Sequence, residues 1–166
     1  MIDYEQERVA LQITLDKQKT QAERNRLGQF ATPTELARDI VAHSVSLLPK
    51  NVLIRFLDPA IGTGSFYSAL RETIPAERIE AAVGYEIDRH YGLPAQKLWS
   101  DTAINIHLAD FTSAIPPTKE AERSNLLVCN PPYVRHHHLV NGDKVRLQAI
   151  AQQVSGVKLR PSQSWR

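Results

Sequence analysis

The sequence predicts an α/β fold on a parallel sheet, and three observations carry that expectation. Short apolar, β-prone segments alternate with helical patterns along the chain. The first of them runs directly into a glycine turn that opens a helix, and three of them end on an acidic residue. Strands interleaved with helices imply a parallel sheet covered on both faces.

Residues 2 to 25 are charged and helix-permissive with balanced signs (Asp3, Glu5, Glu7, Asp16 and Glu23 against Arg8, Lys17, Lys19 and Arg24), which reads as an exposed helical arm. A second helix is expected near Thr32, where Thr32-Pro33-Thr34-Glu35 has the form of a capping box with proline at the first helical position. Leu36, Ile40, Val41, Leu47 and Leu48 supply its apolar face. Residues 52 to 57 (Val-Leu-Ile-Arg-Phe-Leu) read as the first strand. Phe66, Ala69, Leu70 and Ile74 then sit at helical spacing, and Pro75 closes that helix. The expected second strand is 81 to 87. A broken helix around 94 to 103 follows, then a third strand from Ile104 to Leu108 and a fourth from Asn125 to Cys129. Asp143 is placed to cap a last helix carrying Leu147, Ile150, Ala151 and Val154, stopped by Gly156.

Composition narrows the function classes. Twenty Lys and Arg against 18 Asp and Glu leave a net charge of +2, too small to mark a nucleic-acid binder by electrostatics, so any such reading rests on motifs. At 166 residues one domain is expected, large enough to fold without a metal or disulfide. The single cysteine, Cys129, excludes an intrachain bridge and fits a reducing cytosol. No apolar run approaches the ~18 residues of a membrane span, and Met-Ile-Asp-Tyr-Glu lacks a signal peptide's basic start. The expectation is a cytoplasmic protein with no membrane partner.

The glycine turn reads Asp58-Pro59-Ala60-Ile61-Gly62-Thr63-Gly64-Ser65-Phe66, where open α/β sheets bind ligands. It has two glycines of a dinucleotide fingerprint, but Tyr67 stands at the third, and no Gly-Lys-Ser/Thr follows, so NAD is disfavoured and a Walker loop is excluded. Asp58 adds a carboxylate facing the glycines. That suits a cationic ligand better than a pyrophosphate, and S-adenosylmethionine (SAM) carries an ammonium and a sulfonium. A purely structural strand-to-helix turn is the alternative.

Glu86 ends the second strand 22 residues after Gly64, placed to accept both ribose hydroxyls. Asp110-Phe111 ends the third in the same way. Asp110 is positioned for the adenine amino group and Phe111 to cover the ring. Any one of these acids reads equally as a solvated strand end; three on one sheet edge favour SAM.

The fourth strand meets Asn130-Pro131-Pro132-Tyr133. The Asn130 side-chain oxygen and the Pro131 carbonyl are two acceptors for one exocyclic amino group. They draw its hydrogens out of conjugation and turn the nitrogen lone pair toward a donor methyl. The prolines, Pro132 included, stiffen the turn, and Tyr133 offers a flat face for a base. A proline-rich loop with a core aromatic is the plainer alternative.

Together, Asp58 to Phe66, Gly84-Tyr85-Glu86, Asp110-Phe111 and Asn130 to Tyr133 resemble the ordered motifs of adenine-N6 DNA methyltransferases of restriction-modification systems. Gly28-Gln29-Phe30-Ala31-Thr32-Pro33 resembles the same family's motif that contacts the methionine end of SAM. The resemblance implies a Rossmann-like SAM-dependent methyltransferase fold, with an incomplete parallel sheet in the order 3-2-1-4. It implies SAM contacts from Thr32, Asp58, Gly62, Gly64, Glu86, Asp110 and Phe111, action on a flipped adenine by Asn130, Pro131, Pro132 and Tyr133, and DNA as the macromolecular partner. Only positions 65 to 129 separate Gly64 from Asn130, so the motif order resembles the gamma class, whose recognition domain follows the catalytic one.

Ile61 stands where the family often has Cys, and only 33 residues follow Tyr133, where the family continues. The expected organisation is a helical arm over 1–31, a partial catalytic domain over 32–156 and an irregular tail over 157–166. That implies a truncated or split enzyme needing a complementary chain. A methyltransferase acting on protein glutamine or RNA, and a non-catalytic SAM-binding remnant, are the alternatives. Arg135-His136-His137-His138 reads as a DNA-facing polar loop and not a metal site, because three adjacent His cannot all turn to one ion. Cys129 reads as a small buried strand residue and not a nucleophile, Trp99 as core and Trp165 as an exposed tail residue.

Overall fold

A computed structural model describes residues 3–133 and 141–156. The loop Arg135-His136-His137-His138 and the tail over 157–166, with Trp165, lie outside the described residues. The chain divides into two compact units. One is formed by Met1–Thr20 and Phe30–Pro131, the other by Gln21–Gln29 and Pro132–Arg166.

The first unit is a parallel sheet of β1 (Ile54–Asp58), β2 (Ile79–Tyr85), β3 (Ile104–His107) and β4 (Leu126–Leu127), ordered 3-2-1-4 as the motif resemblance implies. Its helices are α1 (Tyr4–Lys17), α3 (Thr34–Ser46), α4 (Ser65–Thr73) and α5 (Arg89–Leu98); α2 (Gln21–Leu27) and α6 (Asn141–Ser155) belong to the second unit. β1 alternates buried and half-buried positions, whereas β2 carries two exposed residues in succession and β3 and β4 bury one residue each. β1 pairs Phe56 with Ala82 and Leu126, and Asp58 lies opposite Gly84. The core runs from Ile54 and Phe56 through Phe66, Tyr67, Leu70 and Trp99 to Ile106, Leu126 and Val128. β4 pairs only with β1 among the described residues, and Leu127 is 59% exposed on it.

Four local expectations need correction. The N-terminal segment is not an exposed arm throughout: α1 packs on α4 and α5, with Arg8 and Leu15 buried. Charge hid this, because the most buried position of its inner face is an arginine whose partner, Glu5, lies one turn away. The capping box at Thr32 does not form. Pro33 occupies the N-cap position with no side-chain cap bond, which leaves Thr32 one residue ahead of the cap, where its hydroxyl accepts from the Asn130 amide nitrogen. Of α3's expected apolar face, Val41 is buried while Leu36 and Leu47 are exposed. The helix expected around 94 to 103 begins earlier, at Arg89, where Asp88 caps it by accepting the His90 N–H at 2.9 Å, and Pro94 sits inside it.

In the second unit, Gly28 follows α2 at φ +62°, and a Cβ there would lie 2.4 Å from the Tyr133 backbone nitrogen. Glycine is required on both counts, left-handed backbone and close approach. α6 starts at Asn141, two residues before the expected cap at Asp143, and Gly156 at φ +71° follows its end.

Candidate functional site

The candidate site lies at the carboxyl ends of β1 and β2. Gly62 and Gly64 take positive φ (56° and 97°), which folds the turn back under the start of α4. A Cβ on Gly64 would lie 2.6 Å from Trp99 Nε1, so the indole can reach the turn and donate to the Thr63 carbonyl at 2.9 Å. Tyr67, at the position where a dinucleotide fold needs glycine, is fully buried and lies edge-on to Trp99 with centroids 5.1 Å apart. An aromatic at that contact holds α4 off the sheet where dinucleotide folds bring it close.

Two carboxylates bracket this turn. Asp58, 1% exposed, accepts the Ala60 N–H at 3.0 Å and takes a hydrogen bond from the Cys129 thiol. Burial pushes the Asp58 carboxyl up to about 7, against the lowering pull of the Ala60 N–H, and the neighbouring Glu86 charge pushes the same way. Glu86 accepts the Gly62 N–H through Oε2 at 3.0 Å and the Asp88 N–H through Oε1 at 2.8 Å. Burial raises its pKa as well, with those N–H groups opposing. Cys129 is half-buried, and desolvation followed by repulsion from Asp58 pushes its thiol up to about 12. A thiol so disfavoured as thiolate is no nucleophile at neutral pH.

The turn is also held from its outer side. Arg8, 2% exposed, forks onto Glu5 at 2.7 and 2.6 Å, donates to the Thr34 hydroxyl at 3.2 Å and approaches the Thr63 hydroxyl at 3.4 Å. Thr63 donates its hydroxyl to Gln12 Oε1 at 2.7 Å. Burial alone would raise Glu5, but hydrogen bonds from Arg8, Ser68 and Thr34 outweigh it and hold the carboxyl down at about 2. The far end of α1 reaches the segment after β2: Lys19 pairs with Asp88, Tyr91 donates to Asp16 at 2.9 Å, and the His90 ring donates to the Leu15 carbonyl at 3.0 Å. α1 thus ties together the two loops that bracket the crevice.

At β3, Asp110 caps a short turn, accepting from the Thr112 N–H and hydroxyl, and Phe111 lies edge-on to Tyr85 at 5.2 Å. Beyond β4, the ladder ends with Val128 donating to the Leu57 carbonyl. Asn130 follows, and its amide nitrogen donates to the Phe30 carbonyl at 3.3 Å and the Thr32 hydroxyl at 3.2 Å.

Asp58, Gly62, Glu86 and Gly64 are therefore brought together, and Thr32 and Asn130 are joined, while Asp110 and Phe111 sit at the neighbouring strand end. Sequence reasoning missed Arg8, Gln12 and Asp88, which support the turn, and Ile87, 67% exposed beside Glu86. Asp88 was findable, since an aspartate directly before a helical stretch is a cap signal. Arg8 was not, because nothing local distinguishes it from a surface arginine.

Among the described residues no three or more His, Cys, Asp or Glu gather as a metal site, and no helix is long and apolar enough to cross a membrane. No family model matches the chain. Solved structures do. The type IIG restriction endonuclease BpuSI aligns over 78% of this chain and 16% of its own, at 20% identity and TM-score 0.55. PH1948 of Pyrococcus horikoshii, a candidate RNA methyltransferase, aligns over 83% of this chain and 65% of its own, at 19% and 0.54. The lmo1582 protein of Listeria monocytogenes, a candidate class I SAM-dependent methyltransferase, aligns over 81% and 42%, at 18% and 0.55. The chain spans less than two thirds of each. At these identities the likeness establishes the fold, which is the Rossmann-like fold of SAM-dependent methyltransferases.

Proposed function

We propose that this chain is the cofactor-binding and catalytic part of a methyltransferase that moves a methyl from SAM to the N6 amino group of adenine in DNA. The observation that carries the reading is the orientation of Asn130. Its amide nitrogen is spent on Phe30 and Thr32, so its oxygen is the atom left to accept hydrogen bonds at the end of β4. An acceptor oxygen there, followed by the Pro131 carbonyl beyond the end of the strand ladder, suits a substrate that presents an amino group.

The donor set fits SAM. Strand-end carboxylates suit a ribose and a cationic tail, and the buried Tyr67 argues against the close helix packing that a pyrophosphate needs. Glu86 takes the ribose hydroxyls with its remaining lone pairs, and Asp110 takes the adenine amino group. Exposed Ile87 and half-buried Phe111 cover the ring. Asp58 braces the turn beneath Gly62 and Gly64, which line the methionine end, by accepting the Ala60 N–H. When bound, the cofactor supplies an electrophilic methyl on sulfur. Asn130 Oδ1 and the Pro131 carbonyl would each accept one hydrogen of the amino group, which frees the nitrogen lone pair to take the methyl; as the new N–C bond forms, the methyl–sulfur bond would break, the neutral thioether would leave, and the nitrogen would release one proton to water. No side chain forms a covalent bond to substrate. Pro132 stiffens the loop, and Tyr133, itself exposed, stacks on the base. The outer edge of β4, which pairs with no further strand among the described residues and exposes Leu127, would accept a strand from a complementary chain.

The test is transfer of labelled methyl from SAM to adenine-containing DNA by this chain together with its complementary chain, compared with RNA and with a glutamine-bearing release-factor substrate. Label in DNA at adenine N6 is the expected result. Label only in RNA or only in protein overturns the substrate assignment, and label in none of them overturns the catalytic reading.

A further inference from the structure

A side-chain amide is nearly the same shape after a 180° turn about its last torsion, so packing alone cannot decide whether Asn130 presents oxygen or nitrogen to a substrate. Hydrogen bonding must decide it. A wrong turn would set an N–H donor against the hydrogens of the acceptor amino group, which is repulsive. The Phe30 carbonyl only accepts, so the nitrogen must face it, at 3.3 Å. The Thr32 hydroxyl, buried at 7% exposure, adds a second acceptor at 3.2 Å. The pair satisfies both amide N–H groups and leaves the oxygen without a partner among the described residues.

We propose that Thr32 is a positioning residue of the transfer reaction: its hydroxyl oxygen, with the Phe30 carbonyl, locks the polarity of the Asn130 amide so that oxygen and not nitrogen faces the acceptor amino group. This rests on the amino-methylation reading above and departs from the cofactor contact that motif resemblance implies for Thr32. Thr32 lies one residue ahead of the α3 cap, and its oxygen reaches a partner 98 residues away in sequence. Valine at this position keeps the shape and removes the acceptor, whereas serine keeps the acceptor and loses a methyl. The two substitutions therefore separate polarity from packing.

The experiment has two readouts on the full chain. In protein labelled with 15N-asparagine, the Asn130 side-chain amide signals are assigned by their loss in Asn130→Ala, and then compared in Thr32→Val, Thr32→Ala and Thr32→Ser. Val and Ala are expected to shift or double those signals and Ser to leave them near the wild-type position. In methyl transfer, Val is expected to lower turnover about fivefold, the scale of one net hydrogen bond, with SAM affinity by calorimetry unchanged and Ser restoring turnover. If Thr32→Val does not fold, Thr32→Ala gives the same comparison. Unchanged Asn130 signals in the Val or Ala variant overturn the proposal, as does lost SAM affinity with intact turnover. Absence of methyl transfer from every variant, wild type included, instead overturns the functional reading and leaves the amide signals to decide the role of Thr32.

Discussion

Glu86 and Gly62 are joined across the crevice: the carboxylate that ends β2 accepts the backbone N–H of the glycine turn after β1 at 3.0 Å. The ribose acid of the sequence motif is therefore also a fastener for the turn, and its other oxygen holds the Asp88 N–H. Removing it acts on ligand and loop together. Glu86→Ala is expected to weaken SAM binding by roughly 1.5 to 3 kcal/mol, the range for hydrogen bonds to a charged group. Calorimetry on protein with an unchanged circular dichroism spectrum measures it, and unaltered affinity would falsify the ribose role.

Arg8→Ala is expected to cost about 3 to 5 kcal/mol of stability, because it strands the Glu5 carboxylate in a nearly closed site. Replacing both residues by methionine is expected to recover most of that loss, since an apolar pair of similar volume needs no charge compensation. Urea unfolding of the three proteins measures the difference. A mild single-variant effect would mean that α1 is not the brace described above.

Asp58 gives the protein an unusual acid-side profile. Its native pKa of about 7 lies above the ordinary carboxylate value of about 3.9, so between those pH values the native state holds a proton that the unfolded chain has lost. Stability from this group is complete below about pH 4 and falls as pH rises to about 7, at up to about 1.4 kcal/mol per pH unit. Glu5 has the opposite sign: its contribution is present above about pH 4 and is lost as pH falls through about 2. Unfolding measured from pH 4 to 8 is expected to show a steeper decline in wild type than in Asp58→Asn, where the raised Glu86 carboxyl still contributes a fall of the same sign. Parallel curves would contradict the assignment.

Asn130→Ala is expected to abolish methyl transfer while SAM binding survives, since Asn130 acts on the acceptor and not on the cofactor. Tyr133→Ala is expected to raise the acceptor KM, corresponding to about 1 to 3 kcal/mol for one lost base stack. Steady-state kinetics with adenine-containing DNA, alongside SAM calorimetry, tests both. An Asn130→Ala protein that turns over at the wild-type rate removes the proposed mechanism.

The alternation of strands and helices and the glycine turn were legible in the sequence, because each is a local pattern, whereas the strand order came only with the motif resemblance. Val-Leu-Ile-Arg-Phe-Leu running into Asp58 is apolar and β-prone, a turn with two glycines can fold back on itself, and motifs lying within ten residues of a strand end follow that strand. Boundaries were less legible. β2 begins two residues before its expected start, and α5 begins at the Asp88 cap despite Pro94.

What only the tertiary structure decided are relations between distant residues with no local signature. Arg8 sits in a charged, weakly amphipathic stretch and looks like a surface residue until Glu5, Thr34 and Thr63 are seen around it. Thr32 belongs to a capping pattern, yet its oxygen serves Asn130 because the end of β4 arrives beside it. The sequence by itself determined which chemistry-bearing groups exist and which strand end each occupies, since covalent order and periodicity set those. Packing decided which oxygen or nitrogen of each group faces its neighbour, because that is a property of pairs brought together only by folding.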